Sequence, residues 1–383
     1  MFRRAIPFLW AFTVCLYVGA SSVAEATPQF ARTYRVDCSH CHSAPPRLNE
    51  RGLNFLAAGY RLETGERSFT VPLAVWNTAD LEWRQSAGFA KGFPSRVEII
   101  SAGPIGRSRA AYFAEWRALS QNIGGNGRLL NRSGRFEDLF VRTPVTTRAL
   151  AVTAGQFRTL TQVDVSQRLS LSEPLVFSSS VPGERARDAR LTSLRAFSAS
   201  GRQPAIRAEY QLTQRASPAD GWFAAATLPL TGEFTIPFTD AASFEFEARP
   251  KGVFLEAFRR AGLTSIGGHA FIGDGRRRVL TGVVTHDAGH RLAVLAGVGA
   301  FHAGDVTDMR FSIGGETTIS SSLVGGIRVD HRTGQNRDPA VLLYGNSHLP
   351  FGPASFRQAL RLQIEHRIQP ANHATGFALS HIF

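Results

Sequence analysis

Cys38, Cys41 and His42 stand in the order C-x-x-C-H within the stretch VDCSHCH. Two thiols this close, followed directly by an imidazole, admit three chemistries. A redox-active disulfide of the C-x-x-C type expects a βαβ surrounding, and none follows here. A structural zinc site needs four ligands, and no second cysteine pair exists to complete it. Covalent haem uses the whole pentapeptide: each thiol adds across a vinyl group, and the adjacent histidine is presented to the iron as an axial ligand. The sequence therefore predicts one haem c held by Cys38 and Cys41, with His42 as proximal ligand, and singles out no catalytic side chain beyond it. The distal ligand is not assigned. Met309 is the only methionine besides Met1, and His40, lodged between the cysteines, cannot fold back onto the same iron. Among His269, His286, His290, His302, His331, His348, His366, His373 and His381 the sequence does not choose.

Covalent haem belongs to exported proteins, and the first residues have that layout. Arg3 and Arg4 precede an apolar run from Ile6 to Ala20, and Ala24-Glu25-Ala26 supplies an A-x-A cleavage site, so residues 1–26 read as a signal peptide. The run is about fifteen residues and contains Pro7, short of the ~20 that a spanning helix needs. Cys15 would leave with it, so that both remaining cysteines lie in the pentapeptide. The haem segment is assigned to residues 27–70. Its helical text runs from Arg47 to Leu62, with Leu48, Leu53, Leu56, Ala57 and Tyr60 spaced for one apolar face. A piece of this size is too small to bury a macrocycle unaided and needs a wall from elsewhere.

That wall is expected from residues 71–383. Leu73, Val75, Ala79, Leu81 and Trp83 alternate with Trp76, Thr78, Asp80, Glu82 and Arg84. Ile206, Ala208, Tyr210 and Leu212 alternate with Arg207, Glu209 and Gln211. Phe356, Leu360, Leu362, Ile364 and Ile368 take one face, and Arg357, Arg361, Gln363, Glu365 and Arg367 the other. Turn text such as Gly103-Pro104, Gly273-Asp274-Gly275 and Asp287-Ala288-Gly289 separates the segments. Segments of about ten residues, aromatics near strand ends (Trp83, Trp116, Tyr210, Trp222, Phe301) and a last stretch carrying Phe377, Leu379, His381 and Phe383 on one face favour an outer-membrane barrel over a soluble sandwich. The expected fold is all-β: an antiparallel barrel of about sixteen strands, its lumen plugged by a small α-helical haem segment. Thr159–Arg190 is the least strand-like stretch and reads as a long extracellular loop that folds over or into the mouth.

The net charge is +13, carried almost wholly by arginine, since Lys91 and Lys251 are the only lysines. The basic residues are spread over alternating faces instead of gathered in one stripe, so nucleic acid is not an expected partner. They read as lumen lining paired with Glu and Asp, with contacts to haem propionates and anionic lipid.

Phe30-Ala31-Arg32, five further residues, and then Cys38-Ser39-His40-Cys41-His42 resemble the start of the fused monohaem cytochrome–porins of bacterial outer membranes, whose best-known members are extracellular iron(II) oxidases. The order of signal peptide, short haem segment and barrel is also theirs. Motif identity is confined to residues 28–42, and Thr33-Tyr34-Arg35 stands where the iron oxidases carry Gln-Thr-Gly. The resemblance implies an outer-membrane electron conduit, with iron(II):cytochrome c oxidoreduction as its enzymatic form. Its partners would be a periplasmic carrier (a c-type cytochrome or copper protein), an extracellular metal or small redox species, and outer-membrane lipid. The alternative function is an anion-preferring solute porin with a structural or sensory haem plug.

Overall fold

The computed structural model describes residues 28–382, apart from 63–71, 85–87, 92–95, 124–128, 146–149, 160–168, 178–201, 235–243, 274–277, 289–291, 334–337, 352–357 and a few single residues or pairs at connections. The expected signal peptide and Phe383 lie outside the described residues. The N-terminal segment comprises α1 (Pro28–Tyr34), a 3-10 turn (Cys38–His40), the short ribbon of β1 (His42–Ala44) and β2 (Arg47–Leu48), and α2 (Glu50–Ala57). Thereafter the chain is strand: β3 (Leu73–Arg84), β4 (Gly88–Lys91), β5 (Arg96–Pro104), β6 (Ala111–Ile123), β7 (Leu129–Asn131), β8 (Arg135–Pro144) and β9 (Leu150–Arg158). Beyond residue 201 follow β10 (Arg202–Gln214), β11 (Ser217–Phe234), β12 (Phe244–Pro250), β13 (Gly252–Ala261), β14 (Thr264–Gly273) and β15 (Arg278–Ala288). The last six are β16 (Leu292–Ala303), β17 (Val306–Ser320), β18 (Leu323–Arg332), β19 (Ala340–Phe351), β20 (Gln358–Gln369) and β21 (Asn372–Ile382).

Each strand pairs antiparallel with its neighbours, and β21 closes the cylinder on β3. β4 and β5 both pair with β3, β7 and β8 with β6, and β12 and β13 with β11, so each couple is one interrupted strand and the barrel has sixteen staves. Closure removes the sheet edges that lipid could not hydrate. The alternation sets the two faces. Leu73, Leu81, Ile206, Tyr210, Trp222, Ile266, Leu280 and Ile313 are exposed on the outside, whereas Thr78, Arg207, Glu209, Arg310, Arg328 and Arg361 are buried inside. Large apolar side chains outward and charges inward are the reverse of a soluble protein and match lipid outside with a polar lumen. The chain is an outer-membrane β-barrel of the bacterial kind, and no described helix is long and apolar enough to cross a membrane.

At the end holding Leu73 and Ile382 the connections between staves are two to six residues long, whereas residues 159–201 join β9 to β10 at the other. Short turns mark the periplasmic rim and long loops the outer one. Three expectations are modified. The helix is Glu50–Ala57, not Arg47–Leu62: Arg47 and Leu48 pair with β1 instead, and Gly59 and Tyr60 adopt positive φ, which ends a helix. Within it Leu56 is exposed and Phe55 is buried. Phe301 is no girdle residue, because it faces the lumen under the Arg310 guanidinium, 3.8 Å from its ring centroid. Trp116 falls in the middle of β6, away from either rim.

Candidate functional site

The C-x-x-C-H stretch sits inside the barrel at the periplasmic end, folded around Asn49. The 3-10 turn closes with the Cys41 N–H donating to the Cys38 carbonyl at 3.1 Å. The Asn49 amide donates to the carbonyls of Ser39 and His40, both at 3.1 Å, while its oxygen caps α2 by accepting from the Gly52 N–H at 3.0 Å. Its backbone N–H donates to the Cys41 carbonyl at 2.9 Å. Gly52 is there because nothing larger fits: a Cβ would lie 2.2 Å from the Cys41 carbonyl oxygen. Asn49 and Gly52 thus hold the motif from behind, and sequence reading missed both. Their signal was legible as an N-cap residue just ahead of the Glu50 helix start.

Cys38 and Cys41 are both buried and unbridged. Burial pushes the Cys41 thiol up, with the Arg51 charge opposing, so the thiol stays neutral near pH 7. Two reduced thiols on one turn with an imidazole directly after them form a donor set that could hold a haem through two thioethers and one axial nitrogen.

The segment is fastened to two separate stretches of wall. On one side Phe30, Tyr34, Phe55 and Tyr60 form an aromatic cluster, with Phe30 and Tyr60 stacked at 5.2 Å and the Tyr34 hydroxyl donating to the Tyr60 carbonyl at 2.5 Å. This cluster rests on Ala102 of β5 and Ala111 of β6, whose small side chains leave room for it. Arg32 donates to the Leu73 carbonyl at 2.6 Å, and Arg61 reaches the carbonyls of Ser108 and Arg109 in the β5–β6 turn. On the other side Arg47 of β2 forms an ion pair with Glu316 of β17. The Tyr344 hydroxyl of β19 donates to the same carboxylate at 2.9 Å. It reaches across β18 over Gly326, where a Cβ would come within 2.4 Å of the Tyr344 ring.

Further along, the lumen has two kinds of wall. One is an ionic lattice: Arg117 pairs with Glu98 at 3.2 Å and Glu137 at 2.8 Å, and Arg202 meets Glu115 at 2.9 Å, Asp138 at 2.7 Å and Glu137. Asp308 takes Arg310 at 2.8 Å and Arg332 at 3.3 Å, and Asp330 takes Arg328 at 3.0 Å. The expected pairing of lumen arginines with acids is found. Between these two groups of staves, from β11 to β15, lies an apolar patch of wall in which Phe223, Phe254, Phe258, Phe271 and Val283 are buried together.

The described part of the long loop, residues 169–177, lies inside the barrel, as the reading of Thr159–Arg190 anticipated. Val176 and Phe177 join the apolar wall. The Ser172 N–H donates to Glu365 at 2.9 Å, Gln363 donates to the Leu169 carbonyl at 3.0 Å, and Arg328 donates to the Ser170 hydroxyl at 2.9 Å. One loop segment therefore bridges both walls.

The barrel histidines divide by face. His290 lies outside the described residues. His286 bonds to Thr264 and His302 to Thr307, both at exposed sites; His331 stacks on outward Phe311; His366 stacks on His373; and His381 bonds to Gln358. Only His269 and His348, among those described, are buried on lumen faces.

No protein-family model and no curated protein matches the chain. Solved structures match over most of the barrel. The Salmonella typhi OmpF complex with daunomycin has a TM-score of 0.53 at 8% identity, covering 81% of this chain and 97% of that one. An anion-selective porin from Comamonas acidovorans gives 0.47 at 12% identity, covering 81% and 98%. A porin mutant from Rhodopseudomonas blastica gives 0.48 at 8%, covering 81% and 99%. The first of these supports the porin fold; none carries a function to this chain.

Proposed function

We propose that the protein is a plugged outer-membrane barrel that passes single electrons between an extracellular donor or acceptor and a periplasmic carrier, through a haem on Cys38 and Cys41 with His42 as axial ligand. The observation that carries this reading is that the C-x-x-C-H stretch sits inside the lumen, clasped by Asn49 and tied to opposed walls, with both thiols unbridged. Bound haem would supply a one-electron iron couple within an insulating layer about 30 Å thick. An extracellular iron(II) complex would lose one electron to become iron(III), and an oxidised periplasmic carrier would gain it, with no proton required. The chain's own part is to hold the motif, to orient His42, and to fill the lumen so that bulk ions do not follow. The arginine excess disfavours bare Fe²⁺ and favours a chelated, anionic iron species.

The porin fold by itself fits a second reading better: a solute channel whose N-terminal plug is structural or sensory. Within the described lumen, Arg117, Arg202, Arg310 and Arg328 are paired with acids, which weakens a strong anion preference. Proteoliposomes separate the two. A conduit transfers electrons from an external iron(II) chelate to an enclosed acceptor, loses this in His42→Ala with the barrel still folded, and shows little conductance in planar bilayers. Large steady conductance, with transfer equal in wild type and His42→Ala, would leave the channel reading standing.

A further inference from the structure

We propose that His348 supplies the sixth ligand of the iron, opposite His42; this rests on the haem reading above. Elimination and placement both lead there. Met309 lies between inward Asp308 and Arg310, so it faces outward. Of the two described histidines buried on lumen faces, His269 stands on the apolar wall between Phe254 at 5.3 Å and Phe177 at 6.3 Å. That wall belongs to the inward loop. His348 stands on β19 four residues beyond Tyr344, on the same face and toward the periplasmic rim. Tyr344 shares Glu316 with Arg47, and Arg47 lies on β2, the strand whose Leu48 pairs with His42. The same contacts that fasten the plug therefore bring the His42 region to the His348 stretch of wall.

His348 is also held. Its backbone N–H donates to the Ser322 carbonyl at 2.8 Å, tying it to the turn between β17 and β18. Its cross-strand partner on the lumen face is Arg361, anchored on Asn346 at 3.2 Å. A fixed imidazole on the wall and one on the plug would clamp the iron between barrel and segment. Both axial positions would then be filled by nitrogen, leaving no open site for a small molecule. The extracellular reactant would exchange electrons at the haem edge without binding the iron. This assigns a substrate class, outer-sphere one-electron donors or acceptors, and excludes ligands that must coordinate the metal.

The test uses the purified full-length protein, with haem content measured as the pyridine haemochrome. Wild type should be six-coordinate and low-spin, with the near-infrared magnetic circular dichroism band of bis-imidazole ligation. It should fail to bind carbon monoxide when reduced. His348→Ala should keep its haem content but become high-spin, bind carbon monoxide, and return to low-spin on addition of imidazole. His269→Ala should leave the spectrum unchanged. If His348→Ala does not fold, the wild-type band decides. A low-spin His348→Ala, a band of another ligand pair, or a five-coordinate wild type would overturn the assignment while leaving covalent haem intact. Absence of haem from wild type would overturn both.

Discussion

Asn49→Ala should loosen the N-terminal segment without touching the barrel. The side chain makes three hydrogen bonds: the cap to Gly52 at 3.0 Å and two amide donations to Ser39 and His40 at 3.1 Å. Losing an N-cap costs about 1 kcal/mol. Each donation contributes roughly 0.5–1.5 kcal/mol when buried, and the one to Ser39 is exposed and counts for less. The total is about 2 kcal/mol, which raises the open fraction of the segment roughly 30-fold, at about 1.4 kcal/mol per factor of ten. None of these bonds touches a stave. Hydrogen exchange on the detergent-solubilised protein should therefore speed up across residues 36–58 by that factor, while strand amides keep their rates and the heat-induced gel shift of the barrel is unchanged. Unaltered exchange in the segment would show that Asn49 does not hold the motif. Faster exchange in the staves would show that segment and barrel do not open separately.

Two further perturbations probe the contacts that close the lumen. Gly326→Val should push the Tyr344 ring off Glu316, costing about 1.5–3 kcal/mol for a hydrogen bond to a charged group; protease access to the 28–62 segment should rise while the barrel still assembles, and unchanged access would deny that this contact fastens the plug. Phe177→Asp should undock residues 169–177 from the apolar wall, where truncation of a buried Phe costs about 3–5 kcal/mol; conductance in planar bilayers should rise, and an unchanged conductance would mean the loop does not narrow the lumen.

The staves were legible because a barrel wall buries neither face in protein alone: lipid demands apolar residues on one side and a wet lumen permits charge on the other, so Leu360, Leu362 and Ile364 separate cleanly from Arg361, Gln363 and Glu365. The same logic fails on β13 and β14. Phe254, Phe258 and Phe271 face inward beside Glu256 and His269, while Leu255, Ala257 and Ala270 face lipid, so the inward face is mixed and the period carries little sign. An inward greasy wall follows only once the loop bearing Val176 and Phe177 is seen against it. Phe301 was misplaced for a related reason, since an aromatic near a strand end has the same spacing whether it meets a headgroup or an arginine. At the site, the pentapeptide is contiguous, so its gathering on one turn follows from the sequence directly. His348 is separated from His42 by most of the barrel, and strand parity narrows the choice only to the lumen face. Its nearness depends on Arg47 meeting Glu316, a contact that no local pattern encodes.

The division of the lumen into an ionic and an apolar wall bears on what the barrel is for. Ion selectivity in an open pore comes from rings of charged side chains that face the permeating ion, which calls for charge not already paired within the wall. Here Arg117, Arg202 and Arg328 are spent on acids of their own or adjacent staves and on the inward loop. Such pairing stabilises a filled interior, because a buried arginine without an acid would cost more than the contact returns. The apolar patch gives Phe177 a good seat, with Glu256 and His269 buried on the same staves. Packing of this sort suits a barrel that serves as a wall for its contents. Electron passage needs that arrangement, because it depends on holding a redox group at a fixed depth and on keeping bulk water from relaxing around it.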